Sequence, residues 1–216
     1  MKNIYQHINP AYYPPQELET FLKAQAILDI IMNSEEDSWL RLVQRYTSDT
    51  PAYCVSDGSG HEMDIFFEEN GVFIKGFDHQ NELNQYAKED WDDEFFKETY
   101  EGIPSNFLDI YEDEDSLMEM TFCMWYDNQT GKWNQTIVEG DDGGKDFILS
   151  YICSNADQWI EWAEDYYEMD IDKSIVEKVY QKKTLTAEDI HKLDPERNAQ
   201  EALDEIAKLM GNKDFK

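Results

Sequence analysis

Four histidines, three cysteines and forty-eight carboxylates are the groups in this 216-residue chain that could do chemistry. His7, His61, His79 and His191 are scattered, with no HExxH and no pair at i, i+3 or i+4. A zinc site would need two or three of them to converge from distant loops. Asp78-His79, directly after an apolar run, is the one pair with the makings of an acid–base element; a polar strand end is the simpler reading. Cys54, Cys123 and Cys153 form an odd, widely spaced set without a CxxC pair, so neither a disulfide framework nor a structural zinc site is expected. Cys54 and Cys123 lie in strand-like apolar runs and read as small buried residues. Ser56-Asp57-Gly58-Ser59-Gly60 superficially resembles a phosphate loop, but no Lys and no helix follow it, so it reads as a turn. Glu112-Asp113-Glu114-Asp115 and Asp141-Asp142 lack the alternating acids, central glycine and terminal Glu of an EF-hand loop, though the first run could collect Ca²⁺ or Mg²⁺ weakly. Nothing singles out a carboxylate pair for glycoside chemistry. The residues thus predict no catalytic group, no cofactor and no specific metal: a protein that is not an enzyme.

Charge is the stronger signal. The net charge is -30. Residues 173–216 hold nine bases and nine acids, so the whole excess lies in residues 1–172. Glu82 to Glu119 alone carries fourteen acids against two bases, Lys88 and Lys97. Such a field repels nucleic acid and anionic membrane and favours a basic protein partner or cations. No run of about 18 apolar residues is present, so no transmembrane helix is expected. Met1 to Pro15 has one Lys and no apolar stretch, which predicts no secretory signal and a cytoplasmic location.

The elements that must position these groups follow from periodicity. Asn9-Pro10 and Pro14-Pro15 mark an extended arm. Gln16 to Met32 repeats apolar residues at helical spacing. Ser34 with Asp37 resembles a capping box for a second helix from Glu35 to Tyr46, with Trp39, Leu42, Val43 and Tyr46 on its apolar face. Ala52 to Ser56, Glu62 to Glu68 and Val72 to Phe77 read as strands, the last two joined at Asn70-Gly71, whose positive φ angles would suit a tight hairpin. Met118 to Tyr126 and Lys132 to Val138 read as a second hairpin, and the bulky residues on both faces of the first of these strands predict a central position. The long connection between the hairpins predicts a helix from Asn84 to Tyr100 and a short one after Ile103-Pro104. Lys145 to Cys153 is helix or strand, with helix preferred. Ser154 with Asp157 predicts the start of a helix bearing Trp159, Trp162, Ala163 and Tyr166; Ser174 to Gln181 follows, and Thr186 with Asp189 opens another. Asp194-Pro195 predicts the start of the last helix, and Gly211 its end.

Several segments resemble a known pattern. Glu69-Asn70-Gly71-Val72-Phe73-Ile74-Lys75-Gly76-Phe77-Asp78-His79 is similar to a hairpin ending in GxxIKGFDHE. Gly102-Ile103-Pro104 with Phe107, Thr121-Phe122-Cys123-Met124-Trp125 and Trp133 resemble a P-x-x-F, TFCxW, W succession. Trp162 to Glu168 and Leu193-Asp194-Pro195 resemble its WAxxYYE and LNP closing elements. Together they cover about residues 62–196 and resemble bacterial immunity-type proteins encoded beside polymorphic or contact-dependent toxins. Asp142-Gly143-Gly144 stands where the pattern has Asp-Gly-Ser, and Asp194 where it has Asn. The resemblance implies an antidote that binds a cognate toxin and occludes its active site, and it implies no catalytic residues; separately, the acidic charge would suit a basic cleft such as that of a nuclease toxin.

The expected architecture is one α+β domain over 1–216: a helical hairpin to residue 50, then over 51–153 a mostly antiparallel sheet of about four or five strands with an acidic helical insertion. A helical C-terminal section from 154 would pack onto the sheet, because Trp159, Trp162 and Tyr166 gain about 1.5–3 kcal/mol each from burial. Within the insertion, Trp91, Phe95, Phe96 and Tyr100 alternate with acids. Either the aromatics simply face the core, or they also anchor a partner that the acids steer in, raising association roughly 10- to 1,000-fold. On the second reading Trp91, Asp92, Asp93, Glu94, Glu112, Asp113, Glu114 and Asp115 lie on the partner-binding face. Other classes remain open from sequence: a DNA-mimicking inhibitor, a regulatory adaptor, a divalent-metal protein or an enzyme.

Overall fold

The computed structural model describes residues 13–46, 50–111, 114–136 and 141–211. It is α+β, with six antiparallel strands in a single open sheet whose spatial order is their chain order: β1 (Val43–Arg45), β2 (Ala52–Ser56), β3 (His61–Glu68), β4 (Gly71–Asp78), β5 (Phe122–Asp127) and β6 (Lys132–Gln135). The sheet therefore has more strands than the four or five expected. The helices are α1 (Pro15–Met32), α2 (Asp93–Thr99), α3 (Ser105–Leu108), α4 (Glu114–Met118), α5 (Lys145–Leu149), α6 (Ala156–Tyr167), α7 (Lys173–Tyr180), α8 (Ala187–Leu193) and α9 (Ala199–Met210). Among the described residues no helix is long and apolar enough to cross a membrane. The chain divides into two compact units, one formed by the residues up to Arg45 together with those from Ile152 onward, the other by Tyr46–Tyr151.

The helical unit packs α1 with α6, α7, α8 and α9 around Leu28, Ile31, Trp159, Val176, Ile190 and Ala202. Trp159 is fully buried in this cluster, whereas Tyr166, stacked on Trp162, is 45% exposed rather than buried as expected. Local signals set most helix ends. Thr186 and Asp189 form the expected capping box, and Gly211, at φ 67°, closes α9. Two starts differ from expectation. Asn155 rather than Ser154 caps α6, its side chain accepting from the Gln158 amide. Asp194 ends α8 instead of starting α9, which begins after Asn198, whose side chain accepts from the Gln200 and Glu201 amides. The intervening turn sends Arg197 inward, where it donates to the Ile30 carbonyl (3.2 Å) and to Glu205 (2.5 Å).

The expected helix from Glu35 to Tyr46 is absent. Ser34 and Asp37 do bond to each other, yet only a 3₁₀ turn at Ser38–Leu40 follows, and the chain then extends into β1. Tertiary partners outweigh the local signal: Arg41 donates to the Asn33 carbonyl (2.8 Å) and to Glu205 (2.7 Å), and the Val43 amide donates to Asp29 (2.8 Å). Trp39, assigned to a buried face, is 72% exposed.

In the sheet unit, Glu68 pairs with Gly71 across a two-residue turn, and the register runs down to His61 opposite Asp78. The turn is not made by positive φ at Asn70: among the described residues only Glu168 and Lys182 are non-glycines with positive φ. Gly71 is needed for close approach instead, since a Cβ there would run into the Tyr126 carbonyl of β5. β5 starts at Phe122, later than expected, because Met118 ends α4 and Thr121 turns its hydroxyl to the Gly143 carbonyl (2.6 Å). It lies between β4 and β6, next to the sheet edge. Phe122, Cys123 and Met124 are buried, so its first half alone is covered on both faces. Lys145–Leu149 is helical, as preferred. Val138 and the part of the expected N-terminal arm up to Tyr12 lie outside the described residues, whereas Pro15 already belongs to α1.

Asp29 of α1 is fully buried, one carboxylate oxygen bonded to the Val43 amide and the other unpartnered. Burial raises its pKa from the ordinary 3.8 to about 7, against the Val43 amide, Arg41 and the Leu42 amide, which pull it down. A carboxyl that holds its proton more tightly folded than unfolded stabilises the fold fully below pH 3.8 and loses that contribution as pH rises through about 7. Asp29→Asn, which resembles the protonated form, is expected to match the wild type in stability at pH 4 and exceed it at pH 8 by up to about 4 kcal/mol. Denaturant titration at the two pH values measures this; a variant gaining nothing at pH 8 would contradict it.

Candidate functional site

The connection between β4 and β5 breaks where the sequence predicted one helix. Asn84 caps a 3₁₀ turn at Gln85–Ala87 by accepting from the Tyr86 amide (2.9 Å). Asp92 caps α2 by accepting from the Glu94 amide (3.1 Å). Two N-caps eight residues apart start two separate elements, and like charge at Glu89, Asp90 and Asp92 gives the extended link between them no reason to close up.

The break presents a ladder of rings. Phe77 meets Tyr86 at 6.3 Å, Tyr86 meets Trp91 at 5.3 Å, Trp91 meets Phe96 at 5.3 Å and Phe96 meets Phe95 at 5.2 Å between centroids. Phe95 is buried, while Tyr86 is 53% and Trp91 42% exposed. Trp91 is held by its indole N–H donating to Asp93 (2.8 Å). Glu89, Asp90, Asp92, Asp93, Glu94 and Glu98 are all exposed around the ladder, with Lys97 paired to Glu94. The Tyr86 hydroxyl titrates above its ordinary value through local desolvation and then through the negative charges of Glu119 and Asp115, which places α4 and its flank in the same field. Of the eight residues read as a partner face, Trp91, Asp92, Asp93 and Glu94 thus form one patch. Asp115 is exposed on α4, which Glu114 begins. Glu112 and Asp113 lie outside the described residues.

Beneath this connection one face of the sheet carries a polar centre. Phe107 stacks on Phe73 at 5.6 Å, and Tyr111 sits edge-on to Phe66. Between these rings Asp64 and Lys75 face each other in register, only 7% and 6% exposed. Lys75 donates to the Ser116 carbonyl (2.6 Å), lies 3.8 Å from Asp64 and sits over the Tyr111 ring at 4.8 Å. Asp64 accepts from the hydroxyls of Tyr46 (2.6 Å) and Tyr111 (3.2 Å). Burial lowers the Lys75 pKa, and Asp64, Glu119 and Glu62 oppose it. A hollow of about 180 Å³ lies here, lined by Gly60, Glu62, Asp64, Lys75, Phe77 and Glu119. Cys54, Glu62 and Asp64 could offer ligand atoms to an ion. Lys75 already supplies the positive charge, however, and burial lifts the Cys54 thiol to about 12, so it does not provide a thiolate. Burial likewise pushes Cys123 and Cys153 to about 12, and all three cysteines are free thiols.

At the open end of the β3–β4 hairpin the structure gathers residues that the sequence left apart. The Nδ1–H of His61 donates to the Asp57 carboxylate (2.6 Å), and its Nε2 lies 3.3 Å from Asp78 Oδ1. The His79 ring is 4.9 Å from that of His61, and its Nδ1 is buried without a hydrogen-bond partner. Asp57 is fixed by the Ser59 amide (2.8 Å), the Ser59 hydroxyl (2.8 Å) and the Tyr151 hydroxyl (3.2 Å). Its carboxyl lies below its ordinary value: burial works against this, but the Ser59 bonds and His61 prevail. The signal was in the sequence. Counting back from the turn at Glu69-Asn70 puts His61 opposite Asp78.

In the helical unit, α1, α7 and α9 enclose a cleft of about 380 Å³ floored by Ala24, Ile27, Val179 and Ile206. At its edge Lys182 bonds to Thr20 and Lys23 pairs with Glu19.

No protein-family model matches the chain, and no curated protein or solved structure matches it.

Removing one member of a buried ion pair leaves the other uncompensated. Lys75→Met is expected to destabilise the sheet unit by about 3 kcal/mol, with part of the loss recovered on adding Asp64→Asn. A double-mutant cycle by urea unfolding measures the coupling; additive effects would show that the two groups do not act as a pair.

Proposed function

We propose that this chain is a binding protein, without catalysis of its own, that docks a cationic protein on the ladder of Tyr86, Trp91 and Phe96. The observation that carries the reading is two large rings more than two-fifths exposed inside a rim where exposed carboxylates outnumber the two lysines, Lys88 and Lys97, the second of them paired to Glu94. A solvent-facing aromatic ordinarily finds cover; here Asp93 holds Trp91 in place, so little side-chain freedom is lost when a partner covers it. Aromatic anchors in a charged rim are the composition of an interface hot spot, with the charge setting approach and register. The net charge of -30 makes a basic partner the natural one. An immunity protein that covers the basic cleft of a cognate toxin fits this chemistry, and a nuclease is the toxin class whose cleft is most basic. Three free thiols suit a reducing compartment, so the cytoplasm is the proposed site of action.

The test is affinity for the product of the neighbouring gene at two salt concentrations. Asp93→Lys with Glu94→Lys is expected to weaken binding at least about tenfold at low salt and to flatten the salt dependence. Trp91→Ala should cost about 2 kcal/mol with the salt dependence retained. Unchanged affinity and unchanged salt slope in both variants would remove this surface from the account.

A further inference from the structure

We propose that His61, Asp78 and His79 form a binding site for a divalent transition-metal ion of the zinc class, with Asp57 as the outer partner that orients His61. One ligand atom from each of the three lies within 4.8 Å of the others. Two donors bonded to one tetrahedral ion at about 2.0–2.1 Å lie roughly 3.3–3.4 Å apart; His61 Nε2 and Asp78 Oδ1 are 3.3 Å apart. The other nitrogen of His61 meets Asp57 at 2.6 Å. A carboxylate on the far side of a ligating imidazole fixes its tautomer and leaves Nε2 free to bind an ion, the usual outer arrangement of histidine metal sites. Asp57 is itself held by Ser59 and Tyr151, so the orientation of His61 is set by a chain of bonds.

Charge points the same way. His61 lies between two carboxylates, and among the described residues neither Asp57 nor Asp78 has a lysine or arginine partner. The unpartnered, buried Nδ1 of His79 is a polar atom without an account in the protein alone. Two glycines make the room: a Cβ at Gly60 would lie 2.6 Å from His79 Nδ1, and one at Gly144 would collide with the Asp78 carboxylate. Two histidines and one carboxylate suit zinc or its first-row neighbours rather than calcium or magnesium, which take oxygen. Three protein ligands leave a position for water. The ion would join the start of β3 to the end of β4 and the residue after it, pinning the hairpin at the end opposite its turn.

Tag-free, full-length protein stripped with a chelator is titrated with Zn²⁺ alone against a chromophoric competitor, and with Co²⁺ alone by visible absorption. Expected are one strong Zn²⁺ site per chain and intense Co²⁺ bands of low coordination number with nitrogen ligands. His79→Gln and His61→Gln should each weaken binding on the order of 100-fold, and Asp57→Asn by about 10- to 100-fold. Glu196→Gln, on the exposed surface of the helical unit, should leave Zn²⁺ affinity unchanged. The wild-type Co²⁺ spectrum needs no variant to fold. Weak, many-site binding with only the faint bands of octahedral Co²⁺, or full Zn²⁺ affinity in folded His79→Gln, would overturn the site.

Discussion

A two-residue turn at Glu69–Asn70 pairs Glu68 with Gly71 and fixes every partner down to His61 and Asp78. Because strand side chains alternate between faces, that one register decides two sites at once. It sends Asp64 and Lys75 to the face covered by α2, α3 and α4. It brings His61 to Asp78 at the hairpin's open end. A slip by one residue would place Asp64 and Lys75 on opposite faces, each buried without the other. Gly71 guards the register from the neighbouring strand, since no side chain fits there against the Tyr126 carbonyl.

The acid-rich connection keeps its place by division of labour. Phe95, Ile103, Phe107 and Tyr111 turn toward the sheet and supply the burial, while most of the carboxylates between them face water, where repulsion is screened. Each carboxylate that goes inside has its own arrangement. Asp64 takes two tyrosine hydroxyls and faces Lys75. Glu205 takes Arg41 and Arg197. Asp29 takes the Val43 amide on one oxygen and, with its other oxygen unpartnered, holds its proton instead. Around Tyr86 and Trp91 the exposed acids keep their charge at the surface even where they have local roles, Asp92 capping α2, Asp93 holding the Trp91 indole and Glu94 pairing with Lys97.

Much of this was legible. The first helix, the three strands from Ala52 to Phe77, the Thr186–Asp189 box and the end at Gly211 follow from local periodicity and capping, and the structure has them. The failures share a cause. Ser34–Asp37 makes the predicted bonds, yet Arg41 and Val43 are claimed by Asn33, Glu205 and Asp29, partners distant in sequence that no local pattern reveals. Asp194-Pro195 carries every sign of a helix start, but the chain needs a turn there to bring Arg197 inward. The residues from Asn84 to Tyr100 hold two caps, and the one at Asp92 hides in a run of acids. The pairing of His61 with Asp78 was readable by counting from the turn, whereas Asp57 reaching His61 through a loop of two glycines was not.

The central claim is that the rings and carboxylates between Gln85 and Thr99 are where a cationic protein docks. Amide hydrogen exchange of the chain, free and saturated with its partner, tests it directly. The account predicts slowed exchange in the 3₁₀ turn at Gln85–Ala87 and in the first turns of α2, with the amides of α7 and α9 unaltered. Protection confined to α7 and α9, with Gln85 to Thr99 exchanging as in the free protein, would contradict it.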